Sequence, residues 1–177
     1  MYLFESGNLG FKKMSEDDRE LFYQMNADPK VMRFFPSVLT RNEANELFDE
    51  MNRRIDKYGY GFFGVYLKAQ NEFIGVLGLN HIGFELDEFS VHDKIEIGWR
   101  LRSNYHGQGY GKEGAQRVLD YSFKDLKIKE IFSFTACENI PSQALMKSLG
   151  LKKLGEFNHP NLKNMPLERH VLYYISK

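Results

Sequence analysis

A chain of 177 residues is of single-domain size and long enough to bury a core without staples. Its one cysteine, Cys137, excludes an intrachain disulfide framework and fits a reducing compartment. Twenty-four basic and 24 acidic side chains leave no net charge that would point to nucleic acid or an anionic membrane. No run approaches the ~18 apolar residues of a membrane helix. The opening MYLFESGNLGFKKM lacks the basic and apolar regions of a signal peptide. The expectation is one cytoplasmic domain over 1–177, with its core starting near residue 9.

In chain order, Leu9 to Met14 reads as a short opening strand. Ser15 then caps a helix whose first turn is acidic, ahead of Leu21, Phe22 and Met25. Asp28-Pro29 opens a short turn through Met32 to Phe35. Thr40 with Glu43 forms a capping box, and Ala44, Leu47, Phe48, Met51, Ile55 and Tyr58 make one apolar stripe that stops at Gly59. After Gly59 the period changes to two. Phe62 to Leu67 and Phe73 to Leu79 read as a hairpin, followed by an acidic excursion over residues 85–93. In the strand Lys94 to Leu101, Ile95, Ile97, Trp99 and Leu101 share one face, and Glu96, Gly98 and Arg100 share the other. A glycine turn leads into a helix over about 112–124. A strand from Ile131 to Ala136, a helix over about 141–149 and two closing β segments, 153–157 and 169–175, complete the order. Strands and helices so ordered predict a mixed α+β or α/β sheet with helices packed on it.

The turn Gly107-Gln108-Gly109-Tyr110-Gly111-Lys112-Glu113 sits between a strand and a helix, where backbone N–H groups can cradle an anion. The phosphate loop of nucleoside triphosphatases does not fit, because only three residues separate Gly107 from Gly111 and Glu113 follows the lysine. Gly109, Gly111 and Gly114 spell the dinucleotide-binding pattern. The remaining chain after Glu138, however, is too short in helices to complete a right-handed βαβαβ half. A tight turn that binds nothing is the bland alternative.

The same segment resembles the coenzyme A pyrophosphate loop of the GNAT N-acetyltransferases, [RQ]-x-x-G-x-[GA], with His106 where Arg or Gln is usual. The resemblance continues through Cys137-Glu138-Asn139-Ile140-Pro141-Ser142 and on to Leu149-Gly150-Leu151. Asn26 to Met32 with Thr40 and Glu43, and Asn158-His159-Pro160 with Leu167 and His170 to Tyr173, are similar to the subgroup of ribosomal-protein N-terminal acetyltransferases. It covers nearly the whole chain, and its motifs specify a family rather than a substrate.

The resemblance implies a mostly antiparallel, twisted sheet of six to seven strands, splayed where acetyl-CoA binds. It implies that the backbone of Trp99, Arg100 and Leu101 meets the pantetheine arm. The N–H groups of Gln108, Gly109, Tyr110, Gly111 and Lys112 would take the pyrophosphate, with Asn139 and Ser142 near the pantetheine. Each has a plainer alternative: Trp99 as a core ring, Asn139 as a helix cap, Ser142 as a first-turn residue. The implied chemistry is direct attack of a primary amine, on a peptide N-terminus or a small molecule, at the thioester carbonyl, with acetyl-CoA as co-substrate. Glu96 is the candidate base that takes the amine's proton; its alternative is a structural carboxylate paired with Arg100. Many members carry a tyrosine at the position of Met146, so no general acid is assigned. A non-catalytic acyl-CoA sensor on the same fold is the competing function. No His or Cys spacing suits a metal. Homodimerisation is implied by the family alone.

Overall fold

The computed structural model describes residues 1–177. Strands β1 (Phe4–Glu5) and β2 (Leu9–Lys12) precede a 3-10 turn (Glu16–Asp18), α1 (Arg19–Ala27) and α2 (Arg41–Tyr58). Strands β3 (Phe62–Leu67), β4 (Glu72–His81) and β5 (Ile95–Leu101) follow, then α3 (Tyr110–Lys124), β6 (Glu130–Ala136), α4 (Ile140–Ser148), β7 (Lys152–Asn158) and β8 (Arg169–Ser176). All strands join one sheet in the order β1-β2-β3-β4-β5-β6-β8-β7. Every pairing is antiparallel except β5 with β6. The sheet has eight strands, not six or seven. The addition is β1, too short at two residues to show any alternation in sequence.

The local signals act where the residues place them. Thr40 accepts from the Glu43 N–H, and the Glu43 carboxylate takes the Thr40 N–H at 2.7 Å, so both ends of the capping box close. Gly59 ends α2 in the left-handed region at φ 75°. Ser15 caps the 3-10 turn rather than α1 itself, and Asp18 is drawn inward, where the Tyr66 hydroxyl donates to it at 2.5 Å.

Alternation along the strands divides the apolar residues between two layers. On one face Leu77, Leu79, Ile97 and Ile131 pack under Ala115, Val118 and Leu119 of α3 and Met146 of α4. On the other face Phe73 and Val76 meet Phe22 and Met25 of α1 and Ala44, Phe48 and Met51 of α2. This second layer continues past β5 as an aromatic cluster of Phe132, Phe157 and Leu172, covered by Ile82, Val91 and the partly buried Phe84 and Phe89.

Two glycines keep the centre of the sheet thin. A Cβ on Gly78 would stand 1.9 Å from the Gly61 carbonyl oxygen, and one on Gly98 would stand 2.9 Å from the Phe62 ring. The chain entering β3 therefore lies directly on β4, and Leu79 N–H donates to Gly61 at 3.0 Å. Gly78→Ala is expected to cost about 3 kcal/mol or more, since the clash is with backbone. Thermal unfolding should then fall by roughly 6–12 °C. Gly83→Ala, where a Cβ meets nothing within 4 Å, should leave the melting temperature within about 2 °C of wild type.

Candidate active site

Strands β5 and β6 touch at a single register position, Glu96 against Phe132. Beyond it they part. In an antiparallel pair both main-chain groups of a residue point to the same side, and the side alternates along the strand. The Ser133 hydroxyl donates to the Ile97 carbonyl at 2.9 Å from the β6 side. Ile97, Trp99 and Leu101 therefore turn their backbone toward the gap. Trp99 is the first of these with no partner from β6. The Leu101 carbonyl accepts from His106 Nε2 at 2.8 Å, which fixes that ring's tautomer, because a carbonyl cannot donate. His106 thus ties the glycine turn back to the strand in place of the expected Arg or Gln. Arg100 is the exception among the three strand residues expected at the cofactor, since its backbone faces β4.

The glycine turn adopts the geometry of an anion cradle. Gly107 and Gly109 have φ of 73° and 85°, the left-handed region in which glycine is unstrained, and Gly109 is the N-cap of α3. The N–H groups from Gly107 to Lys112 find no acceptor in backbone or side chain, while the Glu113 N–H closes on the Gly109 carbonyl at 3.0 Å. Six donors therefore stand open at a helix N-terminus. Lys112 is exposed beside them and joins no ion pair. Glu113 would oppose an anion, but its carboxylate is turned away to the β1–β2 turn. There Ser6 Oγ, Asn8 N and Asn8 Nδ2 donate at 2.6, 2.6 and 2.9 Å. Burial alone would push this carboxyl up, yet these hydrogen bonds outweigh burial and hold it below the usual carboxylate value. Gly114 serves another end: a Cβ there would stand 2.8 Å from Leu77 Cδ1, so α3 packs closely on the sheet.

Asn139 is the N-cap of α4. Its Oδ1 accepts from the Ser142 N–H at 3.3 Å and its Nδ2 donates to Thr135 Oγ1 at 2.9 Å. The cap and the position beside the β6 end belong to the same residue. Trp99 is partly buried against the α3–α4 core. Met146 is 1% exposed within that core and offers no proton.

Glu96 lies on the opposite face of β5, toward α1 and α2. The expected alternative, a pair with Arg100, is absent: Arg100 Nη1 donates to Asn26 Oδ1 and its guanidinium stacks 4.1 Å from the Phe35 ring centroid. Glu96 Oε1 instead accepts from Asn80 Nδ2 at 3.1 Å. Asn80 Oδ1 in turn takes a hydrogen bond from Arg54 Nη1. Oε2 of Glu96 accepts nothing and is not sealed from solvent. Burial pushes the carboxyl up to about 7, opposed in part by the Asn80 hydrogen bond and the Arg54 charge. The adjacent arginines of α2 divide between solvent and sheet. Arg53 stays outside, paired with Glu50 at 2.9 Å, whereas Arg54 bridges Glu50 to the sheet. Which of the two reaches the sheet depends on which side of α2 meets β4, and that is not written in the local sequence.

His159 and His170 make local hydrogen bonds and pack in the aromatic cluster with ring centroids 4.9 Å apart. Burial and then the neighbouring His170 push His159 down to about 4. Both are neutral at pH 7, and no cluster of His, Cys, Asp or Glu could hold a metal.

Glu96 gives a pH-dependent stability with a definite sign. A carboxyl whose folded value is raised from 4.5 to about 7 stabilises the fold below 4.5 and loses that contribution as pH rises through 7. Glu96→Gln is therefore expected to be more stable than wild type at pH 8, by at most about 3 kcal/mol, and to melt at a higher temperature there. The advantage should shrink toward pH 4.5, as thermal melts across that range would record.

Residues 8–152 match the family description "Acetyltransferase (GNAT) domain". The chain is 32% identical over 140 residues to an uncharacterized N-acetyltransferase of Bacillus subtilis, YnaD, covering 79% of this chain and 76% of that one. It superposes on a GNAT-family acetyltransferase from Bacillus anthracis with a TM-score of 0.79 at 25% identity, covering 97% and 96% of the two chains. A spermidine N-acetyltransferase from Vibrio cholerae, solved with CoA and spermine, has a TM-score of 0.73 at 22% identity over 96% and 95%.

Proposed function

The chain belongs to the GNAT family of acetyl-CoA-dependent N-acyltransferases, and from that premise we propose how this chain holds acetyl-CoA and activates an amine. The observation that carries the reading is the alignment of two sets of unpaired backbone groups. The open edge of β5 at Trp99 leads through Leu101 and His106 into the free N–H groups of the glycine turn. An extended amide-containing arm ending in a pyrophosphate has that order of needs: strand-like pairing first, then an anion cradle. Trp99 and Leu101 pair with the arm. Gln108, Gly109, Tyr110, Gly111 and Lys112 bind the phosphates. Asn139 and Ser142 border the gap from the end of β6. When bound, acetyl-CoA supplies an activated thioester carbonyl, so the protein needs no nucleophile of its own.

The protein's remaining task is to free the amine's lone pair. Glu96 takes the proton, directly or through one water, on Oε2, the oxygen that no protein group occupies. A carboxyl held near 7 is matched to that task at neutral pH, because it is partly ionised yet basic enough to accept. Asn80 keeps the carboxyl turned, and Arg54 acts on it through Asn80. The acceptor is a primary amine on a peptide N-terminus or a small molecule. The similarity of Asn26–Met32 and of 158–173 to ribosomal-protein N-terminal acetyltransferases supports a peptide, and the superposition on a spermidine acetyltransferase supports a small molecule. A cytoplasmic location and a homodimer belong to the same reading; no helix is long and apolar enough to cross a membrane.

Acetyl-CoA at a hundredfold excess over its dissociation constant should stabilise the protein by roughly 2.7 kcal/mol, a rise of about 5–10 °C in melting temperature. NADH at the same concentration should do nothing; the reverse result would return the glycine turn to a dinucleotide. Gly109→Val, which forces a β-branched residue to φ 85° and crowds the cradle, should weaken acetyl-CoA binding more than it lowers stability. Free-thiol release with a panel of amines tests turnover. Glu96→Gln should slow it by about 10²–10⁴-fold with acetyl-CoA affinity retained, and the deficit should narrow at high pH, where the amine is already deprotonated.

A further inference from the structure

Arg100 is a charge without a counter-charge. None of the chain's ion pairs includes it. Its guanidinium is held on two sides: Nη1 donates to Asn26 Oδ1, a side chain with no exposed surface, and the ring of Phe35 lies against its face at 4.1 Å. The remaining edge, formed by Nε and Nη2, is unused. Nε is buried and has no partner at all. Nη2 makes no hydrogen bond either, but it is not shut off from solvent. That edge is the one whose two N–H groups run parallel and match a carboxylate. A buried donor left unpaired is costly, and native structures seldom keep one without a use. Burial without a compensating carboxylate pushes the Arg100 guanidinium down to about 10, far below its usual range.

Its position says what could supply the missing anion. Arg100 and Glu96 project from the same face of β5, four residues or about 13 Å of strand apart. Both lie on the α1–α2 side, away from α3 and the glycine turn, so phosphates held there face the other layer. Phe35 belongs to the irregular connection between α1 and α2. Its neighbour Pro36 lines an apolar recess with Leu162, Met165, Pro166 and Leu167 of the β7–β8 connection. Two loops therefore converge over the face that carries the proposed base and the unpaired cation.

We propose that Arg100 binds an anionic group of the acceptor, so that the preferred substrate is an amine carrying a carboxylate several bonds away. This rests on the reading of Glu96's face of β5 as the side where the amine arrives. The carboxylate meets Nη2, the open corner of that edge. A polyamine, with a second cation where Arg100 stands, is disfavoured. A free ω-amino acid and an acidic peptide N-terminus share the required chemistry.

Thiol release with acetyl-CoA and matched pairs tests it: 6-aminohexanoate against hexylamine, and a peptide with glutamate at its second position against the glutamine counterpart. Wild type should favour the carboxylate member of at least one pair in kcat/KM by about tenfold to a hundredfold, the range of a charge-assisted hydrogen bond. Which pair responds identifies the source. Arg100→Gln should bring that ratio near one, and Arg100→Lys should leave it intermediate. The ratio is read within each variant, so any change in cofactor handling or stability cancels. A wild-type ratio of one or less in both pairs, a preference for spermidine, or a ratio that survives Arg100→Gln overturns the assignment. If wild type turns over no amine, the catalytic reading fails by itself. Calorimetry of 6-aminohexanoate in the presence of CoA then decides for Arg100, which is upheld by binding that Arg100→Gln abolishes and overturned by its absence.

Discussion

The active face depends on one short contact, the single parallel register between Glu96 of β5 and Phe132 of β6. A longer parallel ladder would have paired Trp99 and Leu101 with β6 and left no strand edge to offer a ligand. No contact at all would have divided the sheet, separating the α3 layer from the aromatic cluster on β6, β8 and β7. Ser133 marks the limit. By donating to the Ile97 carbonyl it satisfies the last backbone group before the strands part, so the opening begins at Trp99 without a buried, unpaired carbonyl behind it.

The same splay separates two chemistries by strand alternation. Odd-numbered residues of β5 put their side chains under α3 and α4 and their backbone into the gap. Even-numbered residues put Glu96 and Arg100 under α1 and α2. The open backbone edge and the face that carries Glu96, the proposed base, are therefore consecutive residues of one strand. Gly98 lies between them with no side chain, and the Phe62 ring fills the space above it.

Much of this was legible in sequence because it is local. The capping box at Thr40, the stop at Gly59, the hairpin strands and the alternation of Ile95 to Leu101 each follow from a few neighbouring residues, and the structure realises each. The face of Glu96 and the turn at Gly107–Gly111 were legible in the same way, from alternation and from the position of a loop between strand and helix. What stayed hidden depends on residues distant in sequence. Asn80 meets Glu96 because β4 and β5 pair in a particular register, and Arg54 reaches Asn80 because α2 lies across that register. Composition around Asn80 carries no trace of this. Glu113 is another case. In sequence it is an acid at the start of a helix that follows a glycine turn, and only the β1–β2 turn, more than 100 residues away, shows that its charge is spent elsewhere.

Burial alone leaves Glu96 a better proton holder than an exposed carboxylate, and a buried acid with no opposing influence would stay protonated at neutral pH and accept nothing. The Asn80 hydrogen bond supplies the larger opposition, and Arg54 adds its charge without pairing directly with Glu96. Placed one amide away, its charge lowers the carboxyl's affinity for a proton, while the amide keeps the guanidinium from covering Oε2, the oxygen proposed to meet the amine. A direct Arg–Glu pair would have held Glu96 ionised but blocked and weakly basic. Inserting a neutral amide between the two charges is how this chain keeps a carboxylate that is both available and able to take a proton.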